Sequence, residues 1–365
     1  MQPVREIVEL TKELIRIPST QSRREEIHRC AAFIQSWLDR NAISYQTLEI
    51  EGTPSLLVLP RPGKANVLLM AHFDVVEAVV PNQFEPEERD GKLYGRGAID
   101  DKYAVALSLV LFKNHLERLR ANDGGQTDMP FGLLLTGDEE IGGYNGAKPA
   151  LNSIETEFAV ALDGGNSNHL VVKEKGIIQM ELVAPGVAAH GARPWLGKNA
   201  FDVLVKDYQI IQGIFADETP DHWHKTMVLS VCRVGDATVN KVPEKATAMM
   251  DIRYTENDDP RALVESIRAA VESEVIVRAL EPFYVGGESP YRDLLIEHAG
   301  NPSVGFEHGC SDARFLSARG LPSVVWGADG ELSQHSANEH LVIASLEPVY
   351  SGLDSFLHAV REVEG

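Results

Sequence analysis

The sequence contains little that could form a disulfide framework or a thiolate metal site. Only three of its 365 residues are cysteines, namely Cys30, Cys232 and Cys310, and no CxxC pair is present. An odd number at such wide spacing does not predict disulfides, and zinc sites built from thiolates need closely spaced cysteines. We therefore expect a reducing compartment, the cytoplasm, and no cysteine ligand.

Long apolar runs and excess positive charge are also missing. No apolar stretch approaches the roughly 20 residues that a membrane-spanning helix needs, and the first residues form an amphipathic helix pattern rather than a signal peptide. The chain carries 34 Lys and Arg against 54 Asp and Glu, a formal net charge of −20. Because such a surface repels phosphate backbones and anionic lipids, we expect neither nucleic acid nor a membrane as a partner.

Two common catalytic motifs are absent as well. No GxSxG segment appears, which argues against a serine hydrolase of the α/β type. No GxGxxG follows the first apolar strand, and Gly95-Arg96-Gly97 lacks the third glycine, which argues against a nicotinamide-dependent enzyme.

The order of apolar segments predicts an α/β protein with two domains, as the length also suggests. Continuous apolar strands at 67–70, 132–135 and 158–162, with a helical stretch between the first two, indicate a buried, mainly parallel sheet covered by helices. Between residues 176 and 282 the strands alternate instead and follow a β-α-β-β-α-β order, which is typical of a ferredoxin-like fold. We predict a split domain, 1–175 with 283–365, that carries an inserted α+β domain, 176–282.

Side chains that can bind metals follow the apolar strands, where open α/β sheets bind their ligands. The candidates are His72, Asp74, Asp100, Glu139, Glu140, Asp163 and His335. Each alone has an ordinary structural explanation, but carboxylates crowded at one buried edge repel one another unless a cation neutralises them. Nitrogen and oxygen ligands suit zinc, or cobalt and manganese in its place, and their number fits two divalent ions that share one carboxylate.

Five segments occur in an order that resembles a known family. They are HFDVV, LYGRGAIDDK, TGDEEIGG, ALDGG and HSANEH. Together they resemble the dizinc amidohydrolases and exopeptidases, which include aminoacylase, acetylornithine deacetylase, succinyl-diaminopimelate desuccinylase and glutamate carboxypeptidase. The resemblance covers nearly the whole chain, and it implies that the inserted domain is a lid or dimerisation domain.

The resemblance also implies a role for each candidate. His72 and Asp163 would bind one metal, and Glu140 and His335 the other. Asp100 would bridge both ions and would be joined to Asp101 by an unusual peptide bond. Glu139 would be the general base, and Asp74 would orient His72.

Further roles are implied in the inserted domain and beyond it. His190 resembles the histidine that, in dimeric relatives, reaches the partner subunit's site and polarises the scissile carbonyl. Asn240 and Arg253 lie in segments that resemble those holding a substrate carboxylate, and Arg314 lies in another substrate-facing loop. A homodimer through the inserted domain is therefore expected.

We expect a metal-dependent hydrolase that cleaves an amide bond next to a free carboxylate. The preferred substrate is an N-acyl amino acid, as for acetylornithine deacetylase or succinyl-diaminopimelate desuccinylase. A dipeptidase or carboxypeptidase of the same family is the alternative enzyme. The non-enzymatic alternative is an inactive, metal-stabilised relative that acts as a binding protein.

Overall fold

The computed structural model describes residues 2–236 and 238–364, which form two compact units. The first consists of the chain up to Lys173, Gly286–Glu307 and the chain from Ser311 onward. The second consists of Glu174–Val285 and His308–Cys310. The second unit thus interrupts the first in sequence.

The described part of the chain contains nine α-helices and 18 strands. The α-helices are α1 Gln2–Ile15, α2 Arg24–Arg40, α3 Lys102–Arg120, α4 Ala147–Leu151, α5 Ala200–Ile214, α6 Pro260–Ala270, α7 Pro290–His298, α8 Ala313–Ser317 and α9 Leu346–Glu364. The first strands are β1 Gln46–Ile50, β2 Thr53–Val58, β3 Val67–His72, β4 Glu87–Arg89, β5 Lys92–Tyr94, β6 Phe131–Thr136, β7 Phe158–Ala161, β8 His169–Glu174 and β9 Gly176–Pro185. The later strands are β10 Ala189–His190, β11 Thr226–Val234, β12 Lys241–Val242, β13 Lys245–Tyr254, β14 Glu274–Glu281, β15 Tyr284–Val285, β16 Ser303–Glu307, β17 Ser323–Val325 and β18 His340–Val342.

A buried sheet forms the centre of the first unit. Its strand order is β1-β2-β6-β3-β7-β17-β8, and β16 pairs with β8. The central strands are parallel: β3 lies between β6 and β7, and β7 also pairs in parallel with β17. Every residue of β3, β6 and β7 is buried, as their continuous apolar sequences require. The mainly parallel sheet predicted from the sequence is confirmed.

The second unit has the predicted ferredoxin-like organisation. Strands β9, β11, β13 and β14 form an antiparallel sheet in the order β11-β13-β9-β14, and helices α5 and α6 lie between them in sequence. Alternate residues of β9 and β13 are buried, because one face of the sheet packs against the helices. The buried residues of both helices and three of the strands form a separate core.

A small third sheet was not predicted from the sequence. It has the order β18-β5-β4, and each of its strands has three residues, which is too short for a recognisable alternation. None of the described helices is both long and apolar enough to cross a membrane.

Candidate metal centre

The carboxyl ends of three neighbouring strands place most candidate ligands at one edge of the sheet. His72 is the last residue of β3, and Asp163 follows β7 by two residues. Glu139 and Glu140 begin a 3-10 helix, Glu139–Ile141, just after β6. Because β6, β3 and β7 are adjacent and parallel, these side chains converge as the sequence predicts.

Asp100 lies between the two histidines. Its Oδ1 atom is 3.1 Å from Nε2 of His72, and its Oδ2 atom is 2.9 Å from Nε2 of His335. Asp100 comes just before α3, and its peptide bond to Asp101 is cis. Each oxygen of the Asp100 carboxylate thus faces a different imidazole.

A second carboxylate completes each half of this arrangement. Oδ2 of Asp163 lies 3.7 Å from Nε2 of His72, and Oε2 of Glu140 lies 3.2 Å from Nε2 of His335. Ligand atoms of His72, Asp100 and Asp163 all lie within 4.8 Å of one another, and so do those of Asp100, Glu140 and His335. The five residues therefore form two three-ligand groups that share Asp100.

The chemistry of these groups fits two divalent metal ions. All donors are imidazole nitrogens or carboxylate oxygens, which zinc, cobalt and manganese accept. Nε2 of His72 is buried and makes no hydrogen bond of good geometry within the described residues, although carboxylates surround it. A buried polar atom without a hydrogen bond is costly, and a metal ion would satisfy this one.

Opposite charges control the protonation of the shared groups. Burial disfavours a charged imidazole at His72, but the surrounding carboxylates, led by Asp100, outweigh burial and raise the pKa of His72 well above its usual range. The carboxylates of Asp100 and Glu140 raise the pKa of His335 to about 10. At Asp100 burial is outweighed by His335 and His72, which hold its pKa well below the usual range. Positive charge is thus drawn to this position, as a cation site requires.

Glu139 has a different environment from the ligands around it. Its Oε2 atom lies 3.9 Å from Nε2 of His72, and the side chain is largely buried. Burial, and after it the negative charge of Asp163, raises the pKa of Glu139 well above its usual range. A carboxylate with raised proton affinity is suited to accept a proton and release it again.

Asp74 connects His72 to the segment that carries Glu139. Nδ1 of His72 is 3.0 Å from the backbone oxygen of Asp74 and 3.4 Å from its Oδ1 atom. The backbone N–H groups of Glu139 and Glu140 donate to the Asp74 carboxylate at 3.1 and 3.2 Å. Asp74 therefore fixes two elements of the centre and not only the imidazole.

Gln21 was missed by the sequence analysis. Its Nε2 atom donates to Oδ2 of Asp74 and to the backbone oxygen of Gly137, each at 3.0 Å. Gln21 thus holds the carboxylate that aligns His72. It lies in a loop 53 positions before Asp74, and no pattern in the sequence indicates this contact.

The predicted substrate-binding residues lie in both units. In the second unit His190 is exposed on β10, and the backbone oxygen of Asn240 accepts a hydrogen bond from the backbone N–H of Gly191 at 2.7 Å. Nε of Arg253 donates to Asp251 at 2.7 Å. Their roles toward a substrate stay predictions.

Arg314 is the residue for which we predicted a contact with a substrate anion from a substrate-facing loop. It is buried in the first unit and donates to the backbone oxygens of Ser311 and Gly142 at 2.7 and 2.8 Å. These hydrogen bonds connect the loop of Ser311 to the loop of Gly142, so Arg314 has a structural role. A contact with substrate stays a prediction.

Known proteins resemble this chain over nearly its full length. Succinyl-diaminopimelate desuccinylase of Xylella fastidiosa (strain M12) is 27% identical, over 94% of this chain and 95% of its own. The enzyme of the same name from Rhodospirillum centenum is 26% identical, over 93% of each chain.

Solved structures share the fold. An M20 family metallo-carboxypeptidase from Sulfolobus solfataricus superposes with a TM-score of 0.78 at 18% identity, over 98% of this chain and 99% of its own. The aminopeptidase PepT of Bacillus cereus gives a TM-score of 0.74 at 19% identity, over 98% of each chain. The sequence pattern of Peptidase family M20/M25/M40 matches residues 68–359. The match spans the five candidate ligand positions, and the chain therefore belongs to Peptidase family M20/M25/M40 and is a hydrolase of that family.

Proposed function

We propose that the chain is a two-metal amide hydrolase that removes the acyl group from an N-acyl amino acid, as a succinyl-diaminopimelate desuccinylase does. The observation that carries the proposal is the position of Asp100, whose two oxygens face His72 and His335 at 3.1 and 2.9 Å. A shared carboxylate between two nitrogen ligands is the arrangement expected for paired metal ions. The names of the two desuccinylases reported above supply the substrate class.

We assign His72 and Asp163 to one metal ion, Glu140 and His335 to the other, and Asp100 to both. Zinc is the proposed metal, and cobalt or manganese would fit the same donors. When bound, two divalent cations would offset the charge of the carboxylates, polarise an amide carbonyl and lower the pKa of an attacking water.

The proton transfers are assigned to Glu139. Its carboxylate would take a proton from the attacking water and deliver it to the leaving nitrogen of the amide. The buried position of Glu139 and its raised pKa support this role, because the group must hold a proton between the two steps. Asp74 would keep His72 and the Glu139 backbone in place through the hydrogen bonds described above.

For the substrate carboxylate we propose Asn240 and Arg253, and for the developing oxyanion His190. Arginine and amide side chains donate hydrogen bonds that suit a carboxylate, and an exposed histidine can donate to an oxyanion. Their exposed or partly exposed positions in the second unit leave these groups accessible.

A substrate screen with the metal-loaded protein tests the activity. The protein is stripped with a chelator, reloaded with zinc or cobalt, and assayed with N-succinyl and N-acetyl amino acids and with dipeptides. We expect N-succinyl substrates to be hydrolysed fastest. Glu139→Gln should turn over about 10²–10⁴-fold more slowly, while Asp293→Asn, at a residue 73% exposed, matches the wild type. Faster cleavage of dipeptides would favour the peptidase alternative. No turnover of any substrate by the loaded protein would favour a binding protein.

We also propose a homodimer formed through the inserted domain, 176–282. Strand β11 lies at the edge of the second unit's sheet, and Val228, Val231 and Val234 on it are exposed. An edge strand with exposed apolar side chains can pair with a second copy. Light scattering should give twice the chain mass, and Val231→Lys should shift the protein toward the monomer.

The cytoplasm is the proposed compartment. Cys30, Cys232 and Cys310 form no disulfide in the structure, and Cys232 is exposed, which suits a reducing environment. Cell fractionation followed by immunodetection tests this assignment, and recovery of the protein from an oxidising compartment would contradict it.

A further inference from the structure

A buried ion pair joins two loops of the first unit. Nη1 of Arg96 contacts Oε2 of Glu339, and the side chains of both residues are completely buried. The other carboxylate oxygen, Oε1, accepts the backbone N–H of Gly97 at 2.7 Å. The two partners are 243 positions apart in sequence.

These loops carry two of the proposed metal ligands. Arg96 and Gly97 lie in the turn that leads to Asp100, and Glu339 lies four residues after His335. The second nitrogen of the guanidinium, Nη2, donates to the backbone oxygen of His335 at 3.3 Å. The ion pair therefore contacts a ligand residue directly and connects its segment to the segment of the bridging carboxylate.

The backbone of His335 needs such support. It has a φ of +60°, in the left-handed region that residues other than glycine adopt only at a cost in energy. The side chain is 54% exposed, and residues 331–339 form turns without helix or strand. Gln83 adds a second support, because its Nε2 atom donates to the backbone oxygen of Ser336 at 2.9 Å.

His72 is held in a different way. It lies inside the sheet with its side chain 2% exposed, and it is paired with Thr136 of β6. Its backbone N–H donates to Oδ2 of Asp101 at 3.2 Å. The sheet would keep this imidazole in place without the Arg96–Glu339 pair.

We propose that Arg96 and Glu339 are positioning residues for the metal ion assigned to His335 and Glu140. Loss of the pair would release the His335 backbone and weaken the binding of that ion. The ion assigned to His72 and Asp163 would stay bound. The inference rests on the two-metal centre proposed above. It adds that the two ions depend on different parts of the fold.

Zinc binding to variants of Arg96 tests this inference. Arg96→Met removes the guanidinium but leaves the Glu339 charge buried and unpaired, which can destabilise the whole protein. The double variant Arg96→Met/Glu339→Leu removes both charges and tests the same contact in a fold without that penalty. Arg89→Met, at an arginine that is half exposed, is the matched control.

Equilibrium dialysis at defined free zinc gives the number of ions and their affinities without an activity assay. We expect two ions in the wild type and in Arg89→Met. In Arg96→Met and in the double variant we expect one ion to bind with unchanged affinity. The affinity for the other ion should fall by roughly 10- to 100-fold, the usual effect of losing a residue that orients a ligand. The two zinc affinities of His335→Ala should show the same pattern. Arg96→Lys should bind the second ion more tightly than Arg96→Met does.

Other results would overturn the inference. Two ions with wild-type affinities in the double variant would show that the pair does not position His335. Equal weakening of both ions would show a general structural role instead. If the wild type itself took up fewer than two ions, the proposed two-metal centre would fail, and that failure is distinct from the first two.

Discussion

Asp74 accepts the backbone N–H of Glu139 at 3.1 Å, so one carboxylate aligns both a proposed metal ligand and the proposed general base. The same side chain contacts Nδ1 of His72 at 3.4 Å and is fully buried. Second-layer carboxylates of this kind usually fix the ring orientation of a metal-binding histidine. Here the carboxylate also fixes the turn that follows β6.

We expect Asp74→Ala to lower both metal affinity and turnover. The alanine leaves the N–H groups of Glu139 and Glu140 without their acceptor, and it leaves Nδ1 of His72 with the backbone oxygen of residue 74 but without the carboxylate. The expected loss is roughly 10- to 100-fold in zinc affinity, measured by competition with a chromogenic chelator. The control Asp293→Ala removes an exposed carboxylate and should change nothing. Wild-type zinc affinity in Asp74→Ala would refute the role given to Asp74.

Substitution of the neighbouring Glu139 and Glu140 should separate proton transfer from metal binding. Glu139→Gln keeps the shape of the side chain but cannot carry a proton, so turnover should fall by about 10²–10⁴-fold while both ions stay bound. Glu140→Gln replaces a carboxylate whose Oε2 is 3.2 Å from Nε2 of His335, so it should lose one ion. Metal content by elemental analysis and initial rates distinguish the two variants. If Glu139→Gln lost an ion and Glu140→Gln did not, the assignments would have to be exchanged.

The ligand edge could be predicted because it follows from strand order. The apolar runs that end at His72, Thr136 and Ala161 are long enough to identify as strands, and parallel neighbours bring their carboxyl ends together. The fold of the inserted domain could also be predicted, since buried and more exposed residues alternate along the ten residues of β9 and of β13.

The supporting contacts could not be predicted in the same way. Gln21 contacts Asp74 across 53 positions, and Arg96 contacts Glu339 across 243, in each case between loops without periodicity. The burial of Arg314 could not be predicted either. An arginine near an acidic residue has the same sequence context whether it faces solvent or the backbone of another loop. Long-range polar contacts between irregular segments depend on the complete fold.

Removal of the metal ions should destabilise the first unit. Asp100 lies close to Asp163 on one side and to Glu140 on the other, and without cations the neighbouring imidazoles relieve only part of the repulsion between these carboxylates. A ligand present at 100 times its Kd stabilises a folded protein by about 2.7 kcal/mol, so zinc should raise the Tm of the stripped protein by several degrees. Calorimetry with and without a chelator measures the shift. Asp100→Ala, which removes the shared ligand, should show a much smaller rise, and an equal rise in that variant would place the stabilising zinc elsewhere.

A second charge cluster predicts how stability depends on pH away from the metal centre. Asp354 on α9 contacts Arg118 and lies 2.9 Å from Nε2 of His115, both on α3. Burial would raise the pKa of Asp354, but His115 and Arg118 outweigh burial and lower it. A carboxyl group whose pKa is lower in the folded state than in the unfolded state, where it is about 3.9, stabilises the protein above that value. The stabilisation is lost as the pH falls through the lower pKa of the folded state.

Asp354→Asn should therefore lower the free energy of unfolding by about 1 kcal/mol at pH 7, a modest value because the group is partly solvated. The difference from the wild type should shrink as the pH falls below about 4, because the unfolded wild type then binds a proton at Asp354 that the folded state does not, whereas the asparagine has no proton to bind. Urea unfolding at pH 7 and at pH 3.5, with the protein stripped of metal, measures this difference. Asp293→Asn serves as the exposed control on α7 and should match the wild type at both pH values. A difference between Asp354→Asn and the wild type that stayed constant between the two pH values would show that the side chain acts through packing and not through its charge.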